Sequence, residues 1–179
     1  MAETGKSDGL RLGFLTSLSL GERGFVGGLL VTNHMGRPLE FQCTAPVRPN
    51  RTQEILYGPT LGPFLLGDVI GRTLIEKATV KPTLVLVEVP QLLELRAQTS
   101  IPIACLESTD LKAEDAVRFP ADALRLRLGM QSLVFASDFE DDLEAIRGKA
   151  NLVPKEADLS EPFGRVRDAL QETVAANAA

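Results

Sequence analysis

Apolar side chains recur at every second position in much of the first fifty residues. Residues 10–20 and 38–47 alternate between apolar and polar or small residues, whereas residues 25–32 are almost entirely apolar. Alternation indicates a strand with one buried face, and a short apolar run suits a strand covered on both faces. Glycine-containing turns separate the three segments, and Gly36 is placed to adopt a positive φ in the second turn. The pattern predicts a three-stranded antiparallel meander.

The spacing of apolar residues changes to three and four in the middle of the chain. This predicts a short helix over residues 52–56 and a longer amphipathic helix over residues 60–78, where Gly67 and Gly71 lie one turn apart. Residues 83–89 then form an apolar run rich in β-branched side chains. Such a run is typical of a strand that is covered on both faces.

The second half of the chain contains shorter elements. A helical stretch at residues 91–97 precedes a strand at residues 101–106, in which Pro102 suits an edge position. Residues 123–128 are ambiguous, and residues 133–136 are predicted as a strand. The remaining predictions are a helix cap near residues 108–110, a helix to residue 149 capped by Ser137 and Asp138, and a last helix opened by Pro162.

These elements predict a single α/β domain over residues 10–174. The meander continues through alternating helices and strands into one mixed sheet flanked by helices. We expect residues 1–9 and 175–179, which are polar or small, to be flexible. The element order resembles the RNase H-like fold, and less closely the roadblock and longin-type domains. A shared topology does not by itself determine function.

Scarce residue types exclude several kinds of site. His34 is the only histidine, which excludes a metal site with two histidine ligands, and Cys43 and Cys105 are too far apart for a CxxC knuckle. We interpret both cysteines as small buried apolar residues. With one tyrosine and no tryptophan, the chain supplies few residues for a stacking platform that binds single-stranded nucleic acid.

Charge and hydropathy bear on partners and location. The net charge is −5, with +1 on residues 1–100 and −6 on residues 101–179. An acidic surface repels phosphate, so nucleic acid is disfavoured as a partner. No apolar run approaches the roughly 20 residues of a membrane-spanning helix, and the N-terminus lacks a signal-peptide pattern. We expect a soluble, cytoplasmic protein with no membrane partner.

The resemblance to the RNase H-like fold implies a set of carboxylates around two metal ions, which polarise a phosphate and its attacking water. They come from the first strand, the first long helix, the fourth strand and a late helix. Asp68 (or Glu76), Glu88 and Asp138 are candidates for the last three positions. Residues 10–20 contain no acidic residue, so the metal pair would lack its bridging ligand. If the chain is an enzyme, we expect Asp68, Glu88 and Asp138 to form its catalytic site with Mg²⁺ or Mn²⁺. If it is not an enzyme, we expect no catalytic residues and no cofactor.

Two of these acidic residues also have simpler interpretations. Glu88 ends an apolar strand at the edge where open α/β sheets bind ligands, and it could serve as a buried acid or base. The favoured interpretation is that it pairs with an arginine or caps the next helix. Asp138 opens an acidic run that lacks the ligand spacing of a calcium loop and fits the first turn of a helix.

The best candidate for a binding surface is the crossover that follows the meander. Arg48 and Arg51 flank a rigid proline and could hold a carboxylate or phosphate in a bidentate contact. Tyr57 is the only tyrosine, and Gly58 and Pro59 would present its ring at a bend. The alternative is an ordered connection with solvated arginines.

The main functional expectation is a non-catalytic interaction or assembly subunit that docks a protein partner or another copy of itself. It follows from the absence of a nucleophile–base pair, a metal cluster or a phosphate-binding loop in the sequence. One alternative is a divergent metal-dependent phosphoesterase or nuclease of RNase H-like topology. Another is a nucleic-acid-binding accessory domain that uses Arg48, Arg51 and Arg72 without catalysis.

Overall fold

The architecture is that of one mixed sheet with helices on both faces, in a computed structural model that describes residues 9–108 and 118–178. The strand order is β3-β2-β1-β4-β5-β7-β6. The strands are β1 (Arg11–Ser19), β2 (Phe25–Asn33), β3 (Pro38–Cys43), β4 (Leu84–Val87), β5 (Ile103–Leu106), β6 (Leu124–Leu128) and β7 (Gln131–Phe135). The predicted helix cap near residues 108–110, apart from Ser108, and the predicted flexible residues 1–8 and 179 lie outside the described residues. Of the predicted flexible C-terminus, residues 175–178 are helical.

Helical elements fill the connections. The α-helices are α1 (Arg51–Tyr57), α2 (Leu61–Phe64), α3 (Arg72–Lys77), α4 (Glu140–Arg147) and α5 (Glu161–Ala178). A π-helical segment, Leu65–Gly71, joins α2 to α3, and a 3₁₀ helix, Pro90–Gln98, joins β4 to β5. Within the described residues, no helix is both long enough and apolar enough to cross a membrane.

The strand pairing confirms the predicted fold class. β1 pairs antiparallel with β2, and β2 pairs antiparallel with β3, which is the predicted meander. β1 then pairs in parallel with β4, placing Phe14 beside Leu86, and β4 pairs in parallel with β5. Three antiparallel strands continued by parallel ones reproduce the RNase H-like element order. β6 and β7 extend the sheet as a hairpin that turns at Gly129 with φ 57°.

Apolar residues are buried on both faces of the sheet. On one face α4 and α5 pack against β1 and its neighbours, and Phe163 of α5 meets Phe14 edge to face with ring centroids 5.4 Å apart. On the other face lie the π-helical segment, α3 and the 3₁₀ helix Pro90–Gln98. The close approach requires glycine in β2, because a Cβ at Gly27 would lie 1.9 Å from Cγ2 of Ile70.

Several local predictions were wrong. Pro102 does not mark an edge, since β5 lies between β4 and β7 and is fully buried. Cys43 is exposed, because it ends the edge strand β3, whereas Cys105 is buried as predicted. Neither Ser137 nor Asp138 caps α4, whose N-cap residue is Phe139 and has no side-chain hydrogen bond to the helix. The long helix predicted over residues 60–78 is interrupted by the π-helical segment.

Candidate functional site

Glu88 lies immediately after β4, where the RNase H-like resemblance places a carboxylate. Its Oε2 atom lies 2.6 Å from Nη1 of Arg167 on α5. Both side chains are about one-third exposed, so the favoured interpretation of Glu88, pairing with an arginine, describes its position. The register of β1 and β4 runs to Phe14 and Leu86, and β1 supplies no carboxylate beside Glu88, because residues 10–20 contain no acidic residue. The partner that the structure gives this carboxylate is an arginine.

The other two candidate carboxylates lie away from Glu88. Asp68 belongs to the π-helical segment, which packs on the opposite face of the sheet from α5. Asp138 is exposed in the connection before α4. The structure does not bring the three together. Across residues 9–108 and 118–178, no three His, Cys, Asp or Glu side chains are grouped so that they could hold a metal ion.

A wide cleft lies beside the crossover that the sequence singled out. It has a volume of about 620 Å³, within the range of small-molecule and cofactor sites. The aromatic wall comes from the end of α1 and from α2, and the polar wall comes from the π-helical segment and the 3₁₀ helix Pro90–Gln98. Tyr57 and Phe64 stack within the aromatic wall, with ring centroids 4.3 Å apart and planes 20° from parallel. We call it the Tyr57 cleft.

Local sequence positions the aromatic pair. Asn50 starts α1 in a capping box: its side chain accepts from the backbone N–H of Gln53, and the Gln53 side chain accepts from the backbone N–H of Asn50. Gly58 follows Tyr57 with φ 52°, a conformation that favours glycine, and there the chain turns into α2. Tyr57 remains 36% exposed, so its ring is accessible from the cleft.

The opposite side of the Tyr57 cleft is polar. The Nε2 atom of Gln98 donates a hydrogen bond to Oδ1 of Asp68, linking the 3₁₀ helix to the π-helical segment. Gln91 and Glu94 line the same wall. Asp68 and Gln98 are both exposed, so each keeps hydrogen-bonding capacity towards the cleft. The cleft thus combines an aromatic face with an array of donors and acceptors.

The predicted arginines lie outside this lining. Arg48 is exposed in the loop before α1, and Arg51 at the start of α1 lies 3.1 Å from Glu54 with its side chain 82% exposed. Arg72 lies one turn after Asp68 and contacts Glu76 at 2.9 Å. Of the predicted binding residues, Tyr57 is therefore the one that reaches the cleft, while Arg48 and Arg51 stand on the surface.

Sequence analysis missed Phe64, Gln98 and the binding contribution of Asp68. A signal for two of them was present, because Tyr57, Phe64 and Asp68 are spaced seven and four residues apart, which places side chains on one helical face. Gln98 is 30 residues from Asp68 and belongs to another element. No spacing rule connects it to the cleft.

Known proteins give fold-level similarities. The chain matches no protein-family model and no curated protein sequence. It is similar to a variant of Ciona intestinalis endonuclease V in complex with DNA containing an inosine followed by a ribo-adenosine, at 10% identity and TM-score 0.48, covering 94% of this chain and 88% of that chain. Human ENDOV has 16% identity, TM-score 0.47 and coverage of 97% and 87%. A second Ciona intestinalis endonuclease V complex with inosine-containing DNA has 8% identity, TM-score 0.45 and coverage of 94% and 89%.

These similarities contradict the main functional expectation, a subunit that docks a protein partner or another copy of itself. Two of the three structures are endonuclease V complexes with DNA. The expectation that nucleic acid is disfavoured as a partner is corrected by the same finding. A net charge summed over the whole chain also does not describe the charge of one cleft. At 16% identity or less, the likeness is one of fold and assigns no role to any residue of this chain.

Proposed function

We propose that this protein binds single-stranded nucleic acid, with one base inserted in the Tyr57 cleft and the phosphates outside it. The observation that carries this proposal is the stacked pair of Tyr57 and Phe64 in a cleft of about 620 Å³, a stacking surface that the scarcity of tyrosine and tryptophan in the sequence argued against. Base–aromatic stacking contributes about 1–3 kcal/mol per base and tolerates any sequence, since every base has a π-face. In a duplex the bases already stack on one another, so an unpaired base suits the cleft better.

The charges around the cleft support this orientation. Asp68 and Glu94 line it, and their carboxylates repel phosphate but accept hydrogen bonds from a neutral base. Arg51 lies six residues before Tyr57 on the same helix, about 9 Å along its axis at 1.5 Å per residue. An exposed guanidinium at that distance can contact the backbone of a strand whose base occupies the cleft. Arg48 lies three residues further back and extends the basic edge.

The geometry favours binding over cleavage. Glu88 has an arginine partner, and Asp68 lies on the other face of the sheet. A two-metal mechanism needs carboxylates that bridge ions about 4 Å apart. The described residues supply no such cluster, and this favours binding.

The experiment is fluorescence anisotropy of a labelled single-stranded oligonucleotide titrated with the protein. Tyr57→Ala should weaken binding at least about fivefold, because it removes the stacking surface. Leu56→Ala is the matched control, since Leu56 is adjacent in α1, 77% exposed and outside the cleft lining. Binding should weaken as salt is raised, with a log–log slope of about −0.7 per neutralised phosphate.

Three outcomes would contradict the proposal. One is the absence of binding at low salt, and another is an equal loss of affinity in Tyr57→Ala and Leu56→Ala. The third is cleavage of the oligonucleotide in Mg²⁺ or Mn²⁺, which would favour a nuclease. Circular dichroism of both variants checks that each is folded.

A further inference from the structure

We infer that the polar wall of the Tyr57 cleft reads guanine; this inference rests on the proposed function and names the base that enters the cleft. Nε2 of Gln98 donates one N–H to Oδ1 of Asp68. This leaves the second N–H of Gln98 and the Oδ2 atom of Asp68 for a ligand, together with a free lone pair on Oδ1. The wall therefore presents one donor followed by two acceptors in a row.

Guanine is the base whose edge is complementary to that array. Its O6 atom accepts a hydrogen bond, and its neighbouring N1–H and N2–H groups both donate. O6 can accept from Gln98 while the two adjacent donors face the two oxygens of Asp68, a bidentate contact to a charged group. The stacked ring of Tyr57 supplies the face of the same site.

The other bases leave a mismatch at one position. Adenine and cytosine each place a ring-nitrogen acceptor beside their exocyclic amino group, so one oxygen of Asp68 would face a lone pair. Thymine and uracil place a carbonyl on each side of their single N–H. Hypoxanthine keeps O6 and N1–H but lacks the amino group, so it loses one of the two contacts to the carboxylate. A binding site discriminates against the wrong base through hydrogen-bonding groups left without a partner, as much as it favours the right base through its contacts.

The test compares short oligothymidylates that differ in one central base, with binding measured by anisotropy. Guanine should bind at least about tenfold more tightly than hypoxanthine, the ratio expected for one hydrogen bond to a carboxylate. 7-Deazaguanine, which keeps the same edge, should bind like guanine. Adenine and cytosine should bind no better than hypoxanthine.

The variant Asp68→Asn should remove the preference for guanine, because the new amide places a donor against a base donor. Asp168→Asn is the matched control, since it makes the same change of charge on α5, on the opposite face of the sheet. It should retain the preference. Loss of the preference in both variants would show that overall charge, and not the edge of Asp68, discriminates between bases.

The outcomes separate this inference from the proposed function. Binding of every oligonucleotide with equal affinity would overturn guanine recognition while leaving strand binding intact. No binding of any oligonucleotide would overturn both. If guanosine monophosphate alone competes as well as the guanine-containing strand binds, the ligand is a free nucleotide and strand binding is overturned, whereas recognition of the guanine edge stands.

Discussion

Nη1 of Arg167 lies 2.6 Å from Oε2 of Glu88, at the carboxyl end of the central strand β4. In the RNase H-like arrangement that the element order implies, a carboxylate at this position would face a metal ion. Here a guanidinium from α5 supplies the positive charge instead. The pair is a consequence of the fold, because α5 packs across β1 and β2 and brings its side chains to this edge.

Replacing Arg167 tests whether Glu88 binds a metal ion. Arg167→Ala should lower the free energy of unfolding by no more than about 1 kcal/mol, because both partners are about one-third exposed and solvent screens the pair. Mg²⁺ should not raise the melting temperature of the wild type or of the variant, since among residues 9–108 and 118–178 no three His, Cys, Asp or Glu side chains are grouped to hold a metal ion. Thermal unfolding with and without Mg²⁺ measures both effects. A rise of several degrees with Mg²⁺ in the wild type would contradict the interpretation.

The ion pair between Arg96 and Asp142 should matter far more for stability. Nε of Arg96 lies 2.6 Å from Oδ2 of Asp142 and Nη2 donates to Oδ1 at 3.1 Å, with the two side chains only 18% and 10% exposed. The guanidinium also lies 4.2 Å from the centre of the Phe139 ring. Asp142→Ala leaves this cation without its partner and should cost about 3 kcal/mol in urea unfolding. The exposed neighbour Asp141→Ala should cost less than about 0.5 kcal/mol.

Stability should fall in acid partly because of Glu107. The side chain of Arg125 donates hydrogen bonds to its carboxylate, and together with Ser132 this holds its pKa below the ordinary value of 4.5. A carboxylate with a lowered pKa in the folded state contributes stability above pH 4.5, and loses it as the pH falls through the folded-state value. Urea unfolding from pH 6 to pH 3 should therefore show a smaller decline in Glu107→Gln than in the wild type. Identical pH profiles would exclude this contribution.

The two cysteines should differ in reactivity. Burial raises the pKa of the Cys105 thiol to about 12, with the charges of Glu88 and Glu107 adding to the shift. The nucleophile is the thiolate, so Cys105 should be inert to Ellman's reagent at pH 8, whereas exposed Cys43 should react. The native protein should release one equivalent of thionitrobenzoate, and Cys43→Ser should release none until it is unfolded. Two fast equivalents in the native wild type would contradict the burial of Cys105.

Most of the fold was predictable because it depends on local hydrophobic pattern. The meander and α5 each carry a period that favours one kind of element, and the short apolar run of β4 is rich in β-branched residues, which favour a strand. Predictions failed where tertiary position decides. Cys43 follows the alternation of a half-buried strand, but β3 is an edge strand, so its side chain is exposed. Pro102 favours an edge position on sequence grounds, but β7 pairs with β5 on the side away from β4.

The candidate site was half predictable for a similar reason. Tyr57 could be found because it is the only tyrosine and stands beside a glycine–proline bend. Its partners could not all be found, because the hydrogen bond from Gln98 to Asp68 joins two elements that the fold brings together. The sequence suggests Asp68 as a metal ligand, because it shows that the side chain is a carboxylate. It does not show that Gln98 lies beside this carboxylate in the fold.

The π-helical segment Leu65–Gly71 carries Asp68 between an aromatic wall and a straight α-helix. A π-helical turn contains more residues than an α-helical turn. The segment therefore accommodates an extra residue within the helix, without forming a loop. Removing one residue from this segment would restore ordinary winding and turn the preceding stretch by about 100°, the angle between successive residues of an α-helix. Tyr57 and Phe64 would then be rotated relative to Gln98, which belongs to a separate 3₁₀ helix. The extra residue of the π-helical segment therefore sets the rotation of the aromatic wall relative to that helix, and the shape of the cleft depends on it.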